Sequence, residues 1–156
     1  MSGEIEARLL KLGLALPPAP NPVANYVPYV LAGDLLFISG QLAKASDGTL
    51  ATGCLGAGVT VEAGQAAARL CALNILAQAK AALGSLDRIG QVVKLTGFVS
   101  STPEFADHPK VVNGASDLMV EILGEKGRHT RAAVGVASLP AGSAVEVDAV
   151  MRVDRA

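Results

Sequence analysis

Apolar side chains recur every three or four positions in some stretches of the chain and at alternate positions in others, and these two periods mark out helices and strands. Ile5, Leu9, Leu10 and Leu12 predict a helix over residues 4–13, stopped by Gly13. The segment PPAPNPVANYVP holds five prolines in twelve residues and predicts an extended connector wrapped on the body. Strands over 29–32 and 35–39, joined by Gly33-Asp34, read as a hairpin. Residues 44–59 are rich in glycine and small polar side chains and predict a long surface loop. Thr60 then caps a helix running to Gly84, with Glu62 and Gln65 in its first turn. Ala66, Leu70, Leu73 and Ala77, continuing into Ala81, form a small-residue face suited to close approach on a sheet.

A strand over 92–100 carries Lys94 as its one charge, and Pro109 begins a helix that Gly124 ends. Strands over 132–137 and 145–153 follow, joined by the turn LPAGSA. The order α, ββ, α, β, α, ββ predicts an α+β domain with helices on one face of the sheet. In residues 145–153 every odd position is apolar, while the even ones run Glu146, Asp148, Val150, Arg152. One face suits helices; the other suits a partly polar interior lined by further copies of the chain.

Composition adds to this picture. The 156 residues make a single domain, with residues 1–24 as N-terminal helix and connector. Apolar residues at 51% against 17% charged exclude a disordered chain and point to subunit contacts. A net charge of −1 and few aromatics (two Tyr, three Phe, no Trp) offer nucleic acid neither a basic field nor stacking platforms. No stretch has the length and apolarity of a membrane span or a signal peptide, and Cys54 and Cys71 are too few for a disulfide framework. A cytoplasmic protein is the expectation.

Few residue patterns carry chemistry. His108 and His129 lack ligand spacing to a second His or a Cys, so neither a metal nor another cofactor is expected. Ser100, Asp107 and His108 lack the spacing of a triad, and Gly53–Gly58 lacks the lysine of a phosphate cradle, which leaves it as a flexible loop. Cys71 reads as a buried inert thiol, and Lys126, Arg128, His129 and Arg131 as a basic cluster of the kind that is ordinarily solvated. Arg131 differs from its neighbours by sitting at the mouth of the strand AAVGV, where small residues leave room beside a planar cation. It suits a small carboxylate, or else a structural salt bridge. Glu146, an acid inside a β-rich strand, is either used or paired, with Lys94 or Arg152 as partners.

Five short pieces complete the reading: N-Y-V-P at residues 25–28, S-G-Q at 39–41, V-N at 112–113, R-x-x-V-x-V-x-x-L-P at 131–140 and V-E-V-D-A at 145–149. In this order and spacing the chain resembles the Rid family of reactive-intermediate deaminases, also called YjgF or L-PSP, in a longer branch. The resemblance implies a chorismate-mutase-like fold, an antiparallel-rich mixed sheet with two main helices on one face, and a homotrimer whose sheets face inward. It implies hydrolysis of 2-enamine and 2-imino acids such as 2-aminoacrylate to 2-keto acids and ammonia, at clefts between subunits. By the same resemblance Arg131 would clamp the substrate carboxylate and Glu146 would hold the attacking water. Tyr26, Ser39, Gly40 and Asn113 would line the pocket, and Ala133 would replace a frequent cysteine, touching ligand through its backbone. Ala132 stands where many relatives have Ser or Thr, and the basic loop 124–130 belongs to the longer branch. A non-catalytic carboxylate-binding or regulatory trimer is the alternative function; the ribonuclease label that the family has carried finds no support in this chain's charge.

If LPAGS closes a hairpin, Arg131 lies opposite Met151, about five residues or roughly 17 Å from Glu146. That is too far for one small molecule to touch both within a subunit.

Overall fold

The computed structural model describes residues 3–22 and 24–155; residues 1, 2, 23 and 156, which include parts of the expected N-terminal segment and connector, lie outside the described residues. The chain runs α1 (Glu4–Lys11), β1 (Tyr29–Ala32), β2 (Leu35–Leu42), β3 (Cys54–Leu55), β4 (Gly58–Val59), α2 (Val61–Leu83), β5 (Ile89–Ser100), α3 (His108–Leu123), β6 (Thr130–Val136) and β7 (Val145–Val153). The result is the expected α+β architecture, with a mixed sheet and three helices among the described residues. No described helix is long and apolar enough to cross a membrane.

Local chemistry sets the element ends. Thr60 Oγ1 accepts the Ala63 amide at 3.1 Å and starts α2, and Gly84, at φ 80°, stops it. The buried stripe of α2 is Ala67, Ala68, Cys71, Ala72, Ile75, Leu76, Ala79 and Leu83. The expected face is therefore rotated: Ala66 and Ala81 are exposed, Leu70 and Leu73 half-buried, and only Ala77 lies inside. Alanine occurs all round this helix, so its spacing does not mark the inner face; Ile75 and Leu76 do.

In the five-stranded sheet the strand order is β1-β2-β7-β5-β6, with β6 parallel to β5 and the other pairings antiparallel, while β3 and β4 pair parallel by themselves. The expected hairpin between β6 and β7 does not form, because β5 lies between them. Its connection is too long for a tight turn and is held elsewhere. Ser143 Oγ accepts the Ala43 amide at 3.2 Å, the Ala144 amide donates to Ala51 O at 2.9 Å, and the Ser100 amide donates to Ala144 O at 2.9 Å. These contacts carry the chain past the end of β5 to its far side. They also recruit the expected surface loop, whose Leu55 is fully buried, as is Ala43 just before it.

Cross-strand partners share a face of a sheet, so the register assigns each side chain. Arg131, Leu95, Ala149 and Ile38 form one row, and the last three are buried under α2 and α3. Val134, Phe98 and Glu146 form a row on the opposite, open face, where Phe37 and Val134 are each 43% exposed.

The helix α1 is fixed at the edge of this core by Ile5 and Leu9 and by a carboxylate from afar. Asp87 accepts the Glu4 and Ile5 amides at 2.9 Å each, doing the capping that Gly3 cannot. Arg8 Nη1 in turn donates to Ile122 O at 3.0 Å, at the end of α3. Asp87→Ala is expected to cost about 1–2 kcal/mol and to release the α1 amides first. Hydrogen exchange checks this; α1 protection unchanged in the variant would contradict it.

Candidate functional site

The seven candidate residues fall into two groups, one at β2 and β7 and one at the β6 edge. The first group gathers at an irregularity in β2, where the register with β7 shifts between Ile38 and Gln41. Ser39 Oγ donates to Val27 O at 2.8 Å and the Ser39 amide to Pro28 O at 2.9 Å, which ties the N-Y-V-P segment to the bulge. Tyr26, Ser39 and Gly40 line a cavity of about 170 Å³ together with Asn74 and Gln78 of α2. The two amides are buried because they hold backbone: Asn74 Nδ2 donates to Lys44 O at 2.9 Å and Gln78 Nε2 to Pro20 O at 2.6 Å.

Glu146 completes this group from the open face. A Cβ built on Gly40 would lie 2.2 Å from Glu146 Oε1, so the carboxylate fills the space that any other side chain at 40 would take. Neither ion pair considered for Glu146 forms, since Arg152 binds Asp154 at 2.6 Å and Lys94 makes no salt bridge among the described residues. Partial burial raises the Glu146 carboxyl above the usual carboxylate range, and Asp148 on the same face adds to the shift. Asp148 is raised too, by burial, with Thr96 and Lys94 pulling the other way.

The second group sits at the β6 edge under α3. Arg131 Nη1 donates to Asn113 Oδ1 at 2.7 Å and to Ser116 Oγ at 3.1 Å, and Ala133 lies two residues further along the same face. No carboxylate pairs with Arg131 among the described residues, so the salt-bridge reading of this side chain is overturned. Arg131 is level with Ala149, two strands and three residues from Glu146. Their Cα atoms are thus roughly 14 Å apart, closer than the hairpin register implied, but their side chains leave opposite faces of the sheet.

Other expectations hold or change in detail. Ser100, Asp107 and His108 form no triad, as their spacing implies: His108 Nε2 meets the Ser101 hydroxyl at 3.1 Å, while Asp107 pairs with Lys110 at 3.4 Å. Gly53–Gly58 is not a plain flexible loop: it contains β3, runs into β4 at Gly58 and sends Leu55 into the core. Burial pushes the Cys71 thiol far up, as an inert core thiol requires, and Glu146 adds to it. The basic cluster divides, for Arg128 is exposed whereas His129 turns inward to Ser116, with Nε2 and Oγ 2.9 Å apart. Ser116 and His129 were not singled out as site residues. The available signals were Ser116 one helical turn after Asn113, and His129 two positions before Arg131 in extended chain.

A family profile described as "YjgF/chorismate mutase-like, putative endoribonuclease" matches residues 6–150. Protein TCP17 of Trypanosoma cruzi is 54% identical, over 98% of this chain and 96% of its own. A crystal structure from Shewanella oneidensis under the same endoribonuclease label superposes with a TM-score of 0.93 at 40% identity, over 97% of this chain and 100% of that one. RidA from an Antarctic Psychrobacter superposes with a TM-score of 0.62 at 31% identity, over 86% of this chain and 94% of that one.

Raised carboxyl pKa values mean that the folded chain holds these protons more tightly than the unfolded chain does. The stability they contribute is complete below the ordinary carboxylate pKa and is lost as pH rises through the raised values. Glu146→Gln is therefore expected to gain stability over wild type as pH rises from about 4, near the ordinary carboxylate pKa, to neutrality. Urea midpoints measure it; a difference between the two proteins that does not change with pH would contradict it.

Proposed function

The chain belongs to the YjgF/chorismate mutase-like family, and from that premise we propose that it hydrolyses 2-enamine and 2-imino acids of the 2-aminoacrylate kind. The products are a 2-keto acid and ammonia, and the sites are clefts between subunits of a homotrimer. The observation that carries the reading is the Arg131 guanidinium, oriented by Asn113 and Ser116 and without a protein carboxylate among the described residues. A planar cation held in this way suits a small carboxylate bound through two parallel N–H bonds.

Glu146 supplies the other half. Since it leaves the opposite face of the sheet, one molecule meets both groups only where Arg131 of one subunit faces Glu146 of the next. The open face offers what such a neighbour would cover: Phe37, Phe98, Val134 and Val150, with Glu146 and Asp148 among them. Tyr26, Ser39 and Gly40 would then line the Glu146 side of each cleft, and Asn113 and Ala133 the Arg131 side.

The chemistry follows from these groups. An enamine gains a proton at C3 and loses one from nitrogen, becoming the imine. Water then adds to C2, forming the C–O bond as the C=N π pair moves to nitrogen, and Glu146 takes the proton that water loses. Glu146 returns that proton to nitrogen, the C2 hydroxyl proton follows, the C2–N bond breaks, and ammonia leaves as C2=O forms. Glu146 ends as it began. Its raised pKa makes it a stronger base than an ordinary carboxylate. The ribonuclease alternative would need a basic surface, and a chain of net charge −1 supplies little of one.

Freshly generated 2-aminoacrylate, with keto acid and ammonia as readouts, tests the proposal. Arg131→Ala is expected to lose roughly a hundredfold or more in kcat/KM, about 3 kcal/mol, the value of a bidentate charge-assisted contact. Arg131→Lys restores only part, because an ammonium lacks the fork. Glu146→Gln loses mainly kcat. Wild-type rates in either Arg131→Ala or Glu146→Gln, or no turnover by the wild-type protein, would overturn the proposal; carboxylate binding without turnover would mark a regulatory trimer instead.

A further inference from the structure

The basic loop between α3 and β6 ends in a chain of directed hydrogen bonds that leads to Arg131. Gly127 O faces His129 Nδ1 at 2.6 Å, His129 Nε2 faces Ser116 Oγ at 2.9 Å, Ser116 Oγ accepts from Arg131 Nη1 at 3.1 Å, and the same Nη1 donates to Asn113 Oδ1 at 2.7 Å. A carbonyl oxygen only accepts, so the proton of a neutral His129 belongs on Nδ1. Nε2 is then a lone pair, and the Ser116 hydroxyl donates to it. That choice settles the direction of the next bond. With its hydrogen committed to His129, Ser116 Oγ presents lone pairs to the guanidinium.

We propose that His129, acting through Ser116, is a positioning residue that orients Arg131 for a substrate carboxylate; the inference deepens the deaminase reading and rests on it. Both hydrogens of Nη1 are taken, one by Ser116 and one by Asn113, which fixes the plane of the guanidinium. The Nε and Nη2 edge makes no hydrogen bond to protein among the described residues. That edge presents two parallel N–H bonds, the geometry a carboxylate matches. A serine inside a helix ordinarily turns its hydroxyl to the carbonyl one turn back, so a partner across the groove is needed to hold it outward.

The loop is built to supply that partner. A Cβ on Gly127 would lie 2.2 Å from Met119 O, so glycine lets the loop close against the backbone of α3. Thr130 Oγ1 donates to Val93 O at 2.7 Å, and Gln91 Nε2 donates to Arg128 O, which ties the other side of the loop to β5. The charged groups around it are engaged with one another rather than with the imidazole: Arg128 with Glu125 at 3.2 Å, Lys126 with Asp154 at 3.9 Å and Glu121 with Arg69 at 3.1 Å. Among the described residues no carboxylate touches His129, and its ring bonds only Gly127 and Ser116.

Two measurements on the full-length protein test the inference, with pyruvate as the probe. Nitrogen NMR of the His129 ring at neutral pH is expected to show the hydrogen on Nδ1 and a bare Nε2; a hydrogen on Nε2 would overturn the proposal. Pyruvate affinity is expected to fall roughly tenfold in Ser116→Ala and His129→Phe, the scale of a coupling between neighbouring sites. Ser116→Thr and His129→Gln, which keep a hydroxyl and an acceptor in place, are expected to retain most of it. The double variant Ser116→Ala/His129→Phe should be no weaker than either single one. Wild-type affinity in His129→Phe, or additive losses in the double variant, would overturn it. Intact pyruvate binding and its dependence on the pair, without 2-aminoacrylate turnover, would instead count against the deaminase reading and leave the positioning role standing.

Discussion

The β5 strand, seated between β6 and β7, governs the placement of Arg131 and Glu146. Its pairing with both neighbours puts Arg131 in a row with Leu95 and Ala149 under the helices, and Glu146 in a row with Phe98 and Val134 on the open face. A one-residue slip on either side would exchange the faces, since side chains alternate along a strand. That slip would expose apolar residues of a core whose Leu95, Val99, Val145 and Val147 are fully buried, so burial locks the register. The separation of cation and carboxylate is thus a by-product of the hydrophobic core.

Given that separation, each half of the site is stabilised locally. On the β2 side, Gly40 leaves space for a carboxylate, and the bulge joins the N-Y-V-P segment through Ser39. On the β6 side, α3 supplies Asn113 and Ser116, one turn apart, to a guanidinium with no carboxylate partner among the described residues. Each half carries a group that is costly to leave partly buried and unpaired. Sites often hold such groups, because a binding partner satisfies them only when it arrives.

Much of the fold is legible in the sequence because it is punctuated by residues with local causes. Thr60 starts α2, Gly84 and Gly124 end α2 and α3, and Gly33-Asp34 turns the first hairpin. The failures share a cause, which is dependence on contacts far away in the chain. Adjacent strands over 130–136 and 145–153 read as a hairpin, and only the hold of Ala43 and Ala51 on residues 143–144 shows why they part. Alanine spacing misassigned the inner face of α2 for a related reason, since alanine tolerates both environments. Arg131 and Glu146 stand out in a chain with so few charges. Ser116 and His129 do not, because an ordinary helix serine and a loop histidine acquire meaning only when Gly127 brings the loop onto α3.

The claim most open to direct trial is that each site draws Arg131 from one subunit and Glu146 from the next. Arg131→Ala and Glu146→Gln proteins, each inactive alone, can be unfolded together and refolded in equal amounts. A closed ring with random subunit mixing would then hold wild-type pairs at about a quarter of its sites, and a corresponding share of 2-aminoacrylate turnover should return. No recovery from a mixture in which hybrid assemblies are demonstrated by mass would contradict a shared site.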